Sequence, residues 1–337
     1  MSATRDAFGR RLGDLRLSVT DRCNLRCTYC MPRELFGANH EFLPRQEILS
    51  YEEFARLVSV FAGLGVGKVR LTGGEPLLRR DVETLVTAVA RTPGITDVAM
   101  TTNGTLLAAR AASLRDAGLD RLTVSLDSVD PDTFASMADT RVALQTVLDG
   151  IDAAVAAGFA PVKLNAVVRR GVNDAGILDL VRYARDGRHV LRLIEYMDVG
   201  ATNGWVLDDV VPAEEILRRI DEVYPLRALA PARPGEVAKR WAYADGGGEI
   251  GLITSVSRPF CGDCTRARIT STGELFTCLF ASRGTDLRAL LRGGATDEDL
   301  RQAIRRVWAS RDDRYSELRH QLTPAHPARA EMSYLGG

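Results

Sequence analysis

The 337-residue sequence has no net charge with which to build a global field: 44 Lys and Arg face 44 Asp and Glu, with 4 His. Nonspecific attachment to nucleic acid or to an anionic membrane needs such a field. Neither is expected as a partner, so an anionic ligand must be met by a local cluster of cations. No uninterrupted apolar stretch approaches the roughly 20 residues of a membrane helix, and Met1 to Asp14 mix Arg, Asp and Gly without an apolar segment, so no targeting or spanning element is expected. Low-complexity segments and long internal repeats are also lacking. The apolar share of 45% and charged share of 26% argue against a disordered, collagen-like or coiled-coil chain. Six cysteines could form disulfides, but a chain of this length gains little from stapling, and reducing compartments keep thiols free. The expectation is a cytoplasmic enzyme with two domains, or one barrel with an appendage.

Short β-branched runs alternate with helical patterns at intervals that suit strand–helix repeats and a parallel sheet. Strands are predicted at Leu15 to Thr20, Lys68 to Thr72, Ile95 to Thr102, Arg121 to Asp127, Pro161 to Val168 and Val190 to Met197. Helices are predicted at Tyr51 to Leu64, Asp81 to Arg91, Leu106 to Ala117, Ala143 to Ala157 and Asp174 to Asp186. The first of these opens with Ser50-Tyr-Glu-Glu53, a capping box. Gly63-Leu-Gly-Val-Gly-Lys68 looks like a phosphate loop but precedes a strand and lacks the required Ser or Thr; it reads as a helix-ending turn.

Periodicity does not decide between a barrel and an open doubly wound sheet, but the strand faces do. Side chains alternate along a strand, so Arg16, Ser18 and Thr20 share a face, as do Lys68, Arg70 and Thr72, then Thr123, Ser125 and Asp127, then Lys163 and Asn165. A closed barrel fills its interior with Val, Ile and Leu. These polar faces instead fit a wide, incompletely closed barrel of six βα units, TIM-like and lined with polar groups. Beyond Met197 the pattern changes. Asp198 to Asp208 reads as loop and Val210 to Val223 as one helix. Short strands at Ala238 to Tyr243 and Glu249 to Ser255 flank the turn Asp245-Gly-Gly-Gly248. A barrel core over residues 8–220 and a C-terminal α+β region over 221–337 are expected.

Cys23, Cys27 and Cys30 lie within eight residues after the first predicted strand, with no histidine at ligand spacing. Structural zinc wants four closed ligands, and a redox dithiol needs only two thiols. Three thiolates can hold three irons of a cubane cluster and leave the fourth open to an exogenous ligand. Cys261, Cys264 and Cys278 form a second incomplete set. Zinc or a redox dithiol remains an alternative for either triad.

The run Cys-x-x-x-Cys-x-x-Cys with Tyr29 before its last cysteine resembles the radical S-adenosylmethionine superfamily, whose partial barrel carries a cluster after its first strand. Thr72-Gly-Gly-Glu-Pro76 resembles that superfamily's site for the methionine amino group, where backbone carbonyls and a carboxylate meet a cation. Three further segments extend the likeness: Arg258-Pro-Phe-Cys-Gly-Asp-Cys-Thr-Arg-Ala-Arg268, Asp312-Asp-Arg-Tyr-Ser-Glu-Leu-Arg319 and the terminal Met332-Ser-Tyr-Leu-Gly-Gly337. With them, the chain from about Leu15 to Gly337 resembles the GTP 3′,8-cyclase family of molybdenum cofactor biosynthesis. Ser136-Met-Ala-Asp-Thr140 lacks a Gly usual in that family and Leu335 replaces Ile, which bears only on a local helix start.

The resemblance implies two [4Fe-4S] clusters, one on Cys23, Cys27 and Cys30 and one on Cys261, Cys264 and Cys278. It implies S-adenosylmethionine contacts at Tyr29, Gly74, Ser125 and Met197, and GTP contacts at Arg16, Arg70, Thr101, Lys163, Arg266 and Arg268. Gly336 and Gly337 would reach into the site and assist turnover. A 5′-deoxyadenosyl radical would take the 3′ hydrogen of GTP, and the sugar carbon would bond to C8 of guanine. The product would be (8S)-3′,8-cyclo-7,8-dihydroguanosine 5′-triphosphate. An electron donor and, downstream, cyclic pyranopterin monophosphate synthase are implied, with a monomer or homodimer as the working state. Two readings from other classes stay open: a radical enzyme with an auxiliary cluster acting on a peptide, and a noncatalytic metal or redox protein.

Overall fold

A computed structural model describes residues 4–200, 202–233, 235–319 and 329–336. Six strands run parallel and pair in chain order: β1 (Asp14–Ser18), β2 (Lys68–Thr72), β3 (Asp97–Thr102), β4 (Arg121–Ser125), β5 (Lys163–Val168) and β6 (Val190–Glu195). Between them lie α1 (Tyr51–Ala62), α2 (Val82–Ala90), α3 (Ala111–Asp116), α4 (Pro131–Ala138), α5 (Leu144–Ala156) and α6 (Ile177–Asp186). After β6 come α7 (Ala213–Asp221), β7 (Leu226–Leu229), β8 (Lys239–Tyr243), β9 (Glu249–Ile253), β10 (Arg266–Ile269), β11 (Glu274–Phe276) and β12 (Thr285–Asp286). Helices α8 (Leu287–Arg292), α9 (Asp297–Ala309), α10 (Tyr315–Leu318) and α11 (Met332–Leu335) complete the described elements.

The twelve strands form one sheet in the order β12-β11-β10-β1-β2-β3-β4-β5-β6-β9-β8-β7. Strand β10 adds parallel to β1, with Arg16 opposite Arg268, and β9 adds parallel to β6, with Arg192 opposite Gly251. Eight parallel strands therefore curve without closing, because β7 and β12 end the sheet. Strands from beyond residue 221 thus extend both edges of the expected partial barrel. Sequence reasoning missed β10 because it is four residues long and half arginine, far from a β-branched run.

The apolar side chains of alternate strand positions, such as Leu15, Leu17, Val69, Leu71, Leu122, Val124, Leu164 and Leu191, are fully buried against the helices. Burying each such side chain stabilises the fold by roughly 1.5–3 kcal/mol. On α1 the residues Phe54, Leu57, Val58 and Phe61 meet this layer, and the capping box forms as the sequence predicts: Ser50 Oγ accepts from Glu53 N–H at 3.1 Å and a Glu53 carboxylate oxygen accepts from Ser50 N–H at 2.7 Å. Lys68 opens β2, and the glycine run before it follows the end of α1 as a helix-ending turn.

Two expectations change locally. The helix predicted from Leu106 forms only over Ala111–Asp116, because Asn103 Oδ1 accepts from both the backbone N–H and the hydroxyl of Thr105 and holds the chain in a turn. Ser136 to Thr140 is a helix end rather than a helix start. Helix α4 begins at Pro131 with Asp130 capping Thr133 N–H at 2.8 Å, and Asp139 closes it in the left-handed region at φ 40°. No helix among the described residues is long and apolar enough to cross a membrane.

Candidate active site

The polar strand faces enclose a cavity of about 450 Å³. Cys23, Cys27, Cys30, Tyr29, Gly74, Ser125, Met197, Arg16, Arg70, Thr101, Lys163, Arg266, Arg268, Cys261, Cys264 and Cys278 all line it. Gly336 is brought to its edge, where its carbonyl accepts from Arg268 Nη1 at 2.7 Å. Gly337 lies outside the described residues.

The first cysteine loop leaves the C-terminal end of β1. Arg26 holds it by donating from Nη1 to the carbonyls of Cys23 and Leu25 and from Nε to that of Phe36, at 2.6–2.9 Å. The N–H groups of Arg26 and Thr28 bond the carbonyls at the end of α4, and the Cys27 carbonyl accepts from Cys30 and Met31 N–H. All three thiols are free. Burial pushes the Cys23 and Cys27 thiols up, the latter strongly, and the Cys30 thiol up to about 12. Such thiols keep their protons until a metal displaces them. Among the described residues no three His, Cys, Asp or Glu side chains form a single-ion cage. Three thiols on one cavity wall fit a multinuclear iron–sulfur group better than a closed zinc site.

The glycine pair after β2 is set against this loop. Gly73 has φ 145°, and a Cβ on Gly74 would lie 2.2 Å from the Arg22 carbonyl oxygen. Gly74→Ala must push the strand end and the cysteine loop apart. We expect it to cost about 1–3 kcal/mol, as overpacking does. A thermal melt checks the cost, and iron retention reports whether the loop has moved.

Glu75, by contrast, does not line the cavity. Its carboxylate accepts from Leu77 N–H, Thr102 Oγ1 and Asn103 N–H at 2.7–2.9 Å, tying the β2 and β3 turns together. Burial outweighs these donors and raises its pKa to about 7. Between the ordinary carboxylate value and 7 the folded chain keeps a proton that the unfolded chain has lost, so stability falls as pH rises through that window and levels off above it. Removing the titration with Glu75→Gln should flatten the melting temperature between about pH 5 and 7 relative to the parent chain. Parallel profiles would show that Glu75 does not titrate there.

Tyr29 donates its hydroxyl to Asp127 Oδ2 at 2.7 Å, and Asp127 Oδ1 accepts from Val167 N–H at 2.8 Å. Burial raises Asp127 to about 6 despite these bonds. The cavity wall near the first triad is thus held by one carboxylate bridging the cysteine loop, β4 and β5.

Across the middle of the cavity run the cations. Arg268, Arg16 and Arg70 stand side by side in register on β10, β1 and β2. Arg70 Nη1 donates to Thr101 and Thr123 hydroxyls at 2.9 and 3.1 Å. The side chains of Arg16, Lys163 and Arg192 have no hydrogen-bond or ion-pair partner among the described residues. Burial, then repulsion from Arg192, Arg121 and Arg70, lowers Lys163 to about 7, and burial with the repulsion of Arg70 and others lowers Lys68 to about 6. Lys68 and Arg121 share Asp97 as a counter-ion, but Arg16, Lys163 and Arg192, close together with none, are costly unless a polyanion joins them. Arg192, Arg121, Arg233 and Lys68 also line this region but were not named as site residues from the sequence. Arg121 and Arg192 carried a usable signal, since each occupies a cavity-facing position of a strand whose neighbours were noticed.

The second triad sits at the opposite end of the strands, because Cys264 precedes β10 and β10 runs parallel to β1. Burial pushes Cys278 up to about 12, whereas at Cys264 the nearby Arg266 and Arg311 overcome burial and lower the thiol to about 6. Arg311 Nη1 donates to the Cys264 carbonyl at 2.8 Å, and Thr277 Oγ1 donates to Asp313 Oδ2 at 2.6 Å. The segment Asp312 to Arg319 therefore buttresses this triad. The tail carrying Gly336 is fastened at further points. The Tyr334 hydroxyl joins Thr272 and Glu274, and Arg329 Nη1 donates to the Asp198 carbonyl at 2.8 Å.

Residues 17–184 match the Radical SAM superfamily and residues 189–317 match Molybdenum Cofactor Synthesis C. Among solved structures, methylornithine synthase shares the fold with a TM-score of 0.52 at 15% identity, over 94% of this chain and 87% of that one. The histidine-tagged anSMEcpe with bound AdoMet aligns with a TM-score of 0.50 at 16% identity, over 63% of this chain and 57% of that one. The partial barrel, its parallel strands and its three-cysteine loop define a radical S-adenosylmethionine enzyme with a C-terminal extension. Across 99% of both chains the protein is 54% identical to the GTP 3′,8-cyclase of Acidothermus cellulolyticus, and across 99% of this chain and 98% of the relative it is 45% identical to that of Staphylococcus aureus. The chain belongs to the GTP 3′,8-cyclase family.

Proposed function

We propose that this chain converts GTP to (8S)-3′,8-cyclo-7,8-dihydroguanosine 5′-triphosphate, the entry step of molybdopterin formation. The observation that carries the reading is the single cavity with a thiol triad at each end of its strands and a row of cations lacking counter-ions between them. Cys23, Cys27 and Cys30 would hold a [4Fe-4S] cluster which, with S-adenosylmethionine bound, supplies a 5′-deoxyadenosyl radical. Tyr29, Gly74, Ser125 and Met197 would seat that cofactor at the C-terminal strand ends. Cys261, Cys264 and Cys278 would hold a second [4Fe-4S] cluster, an open-iron site for the purine.

The remaining work falls to side chains. Arg16, Arg70, Thr101, Lys163, Arg266 and Arg268 would hold the triphosphate, Arg by planar forks suited to phosphate oxygens and Lys163 as a point charge whose proton a bound phosphate would retain. Fixing both ends of the nucleotide aligns its sugar and base for ring closure, where proximity and orientation set the rate. Shielding of the interior from bulk water by the C-terminal strands and tail would limit side reactions. Gly336 would touch this region through its backbone alone: a Cβ there would meet Thr72 Cγ2 at 2.5 Å. Gly337 would continue the contact. We take residues 8–220 as the barrel core and 221–337 as the extension, a cytoplasmic setting with a low-potential electron donor, and consumption of the product by cyclic pyranopterin monophosphate synthase.

Anaerobic turnover of the iron-reconstituted protein with S-adenosylmethionine, reductant and GTP tests the proposal by mass spectrometry. GTP-dependent 5′-deoxyadenosine together with a cyclised isomer of GTP supports it. Cleavage with GTP returned unaltered leaves the radical chemistry and removes the substrate.

A further inference from the structure

The N-terminal segment, which the sequence presents as a polar run, is built into the second triad. Asp6, Arg10 and Arg311 are 7%, 5% and 4% exposed, a buried charge cluster outside the nucleotide cations. Asp6 accepts from Arg10 Nε at 2.5 Å and from Arg311 Nη1 at 3.3 Å. Arg10 Nη1 donates at 2.8 Å to the carbonyls of both Cys261 and Asp313, so one guanidinium joins the first cysteine of the triad to the segment that buttresses it. Its remaining nitrogen, Nη2, is buried without a hydrogen-bond partner among the described residues, and Arg10 lines the cavity beside Cys261. A buried guanidinium N–H left without an acceptor is costly, and its fork is otherwise fully used.

We infer that Arg10 positions the second triad and donates its spare N–H to a sulfur of the group held there. The inference rests on the reading of Cys261, Cys264 and Cys278 as an iron–sulfur site. Hydrogen bonds to cluster sulfurs and a nearby positive charge both stabilise the reduced, more negative state, which raises the reduction potential. Arg10 would therefore act on the second centre through the loop and the sulfur, without touching S-adenosylmethionine.

The test uses the full chain carrying Cys23→Ala, Cys27→Ala and Cys30→Ala, so that only the second triad can take iron. After anaerobic reconstitution, iron and sulfide per chain, the electron paramagnetic resonance of the reduced protein and its midpoint potential are read with and without Arg10→Met. The expected result is a more negative midpoint and an altered signal in the Arg10→Met protein, with partial recovery in Arg10→Lys, which restores charge but not the fork. An unshifted midpoint and an unaltered signal at full iron load overturn the inference while leaving the second cluster intact. If the three-alanine chain, folded by circular dichroism, takes up no iron and sulfide, the underlying reading of the triad fails and the inference falls with it. Should Arg10→Met not fold because Asp6 is left with only the longer Arg311 contact, Asp6→Asn combined with Arg10→Met removes both charges and carries the same measurement.

Discussion

Replacing Cys27 by Ala should abolish 5′-deoxyadenosine formation, by a factor on the order of 10⁴ or more, as removal of one member of an interdependent catalytic set does. The effect should be chemical rather than structural. The turn around Cys27 is held by its backbone carbonyl, which accepts from Cys30 and Met31 N–H at 2.9 Å, and the side chain takes no part in those bonds. The loop is further fixed by the Arg26 fork and by the end of α4. Loss of one thiol therefore leaves the loop in place and removes one of the three proposed iron ligands. Circular dichroism and the melting temperature should change little, while iron content falls by about half if the other triad still loads its own cluster. Cys27→Ser should behave like Cys27→Ala, because a hydroxyl is a poor substitute for thiolate toward iron. Retention of S-adenosylmethionine cleavage in either variant would remove Cys27 from the ligand set.

The same residues show why much of the site could be read before the fold was known. Alternation along a strand needs only the strand's existence, so Arg16, Arg70, Ser125 and Lys163 could be assigned to one face from period two alone. The outward positions confirm it, since Leu15, Leu17, Val69 and Leu71 are fully buried under helices. What could not be read this way depends on contacts distant in sequence. The Asp6–Arg10–Arg311 cluster joins residues some 300 positions apart, and nothing local in a short run of Arg, Asp and Gly announces it. Strand β10 was missed for a related reason: its two arginines are accommodated by a cavity formed mostly by other strands. Glu75 shows the converse case. Its place in a recognisable motif gave no sign that three donors from Leu77, Thr102 and Asn103 make it a structural tie.

Replacing both Arg266 and Arg268 by Ala should weaken GTP binding by roughly 10²–10⁴-fold, taking about 1.5–3 kcal/mol for each charge-assisted bond and 1.4 kcal/mol per factor of ten. Both residues are committed by strand register: β10 places Arg268 opposite Arg16 and Arg266 opposite Asp14. Arg268 also holds the Gly336 carbonyl at 2.7 Å, so its loss should loosen the tail as well as the nucleotide. The free protein should respond in the opposite sense. In the single Arg268→Ala variant, truncation relieves a charge penalised by burial and then by the repulsion of Arg16 and Arg266, so its melting temperature without nucleotide should hold or rise while GTP raises it less; Arg266 stands outside this comparison because the neighbouring Cys264 favours its charge. That opposition separates a binding residue from a merely structural one, because a structural arginine would lower the melting temperature with and without ligand. Uncoupled S-adenosylmethionine cleavage should persist, since the residues proposed to seat that cofactor, Tyr29, Gly74, Ser125 and Met197, belong to other elements. Anaerobic calorimetry with GTP decides the matter. A loss of affinity smaller than about tenfold, or 1.4 kcal/mol, would move the triphosphate away from β10 and toward Arg16, Arg70, Lys163 and Arg192.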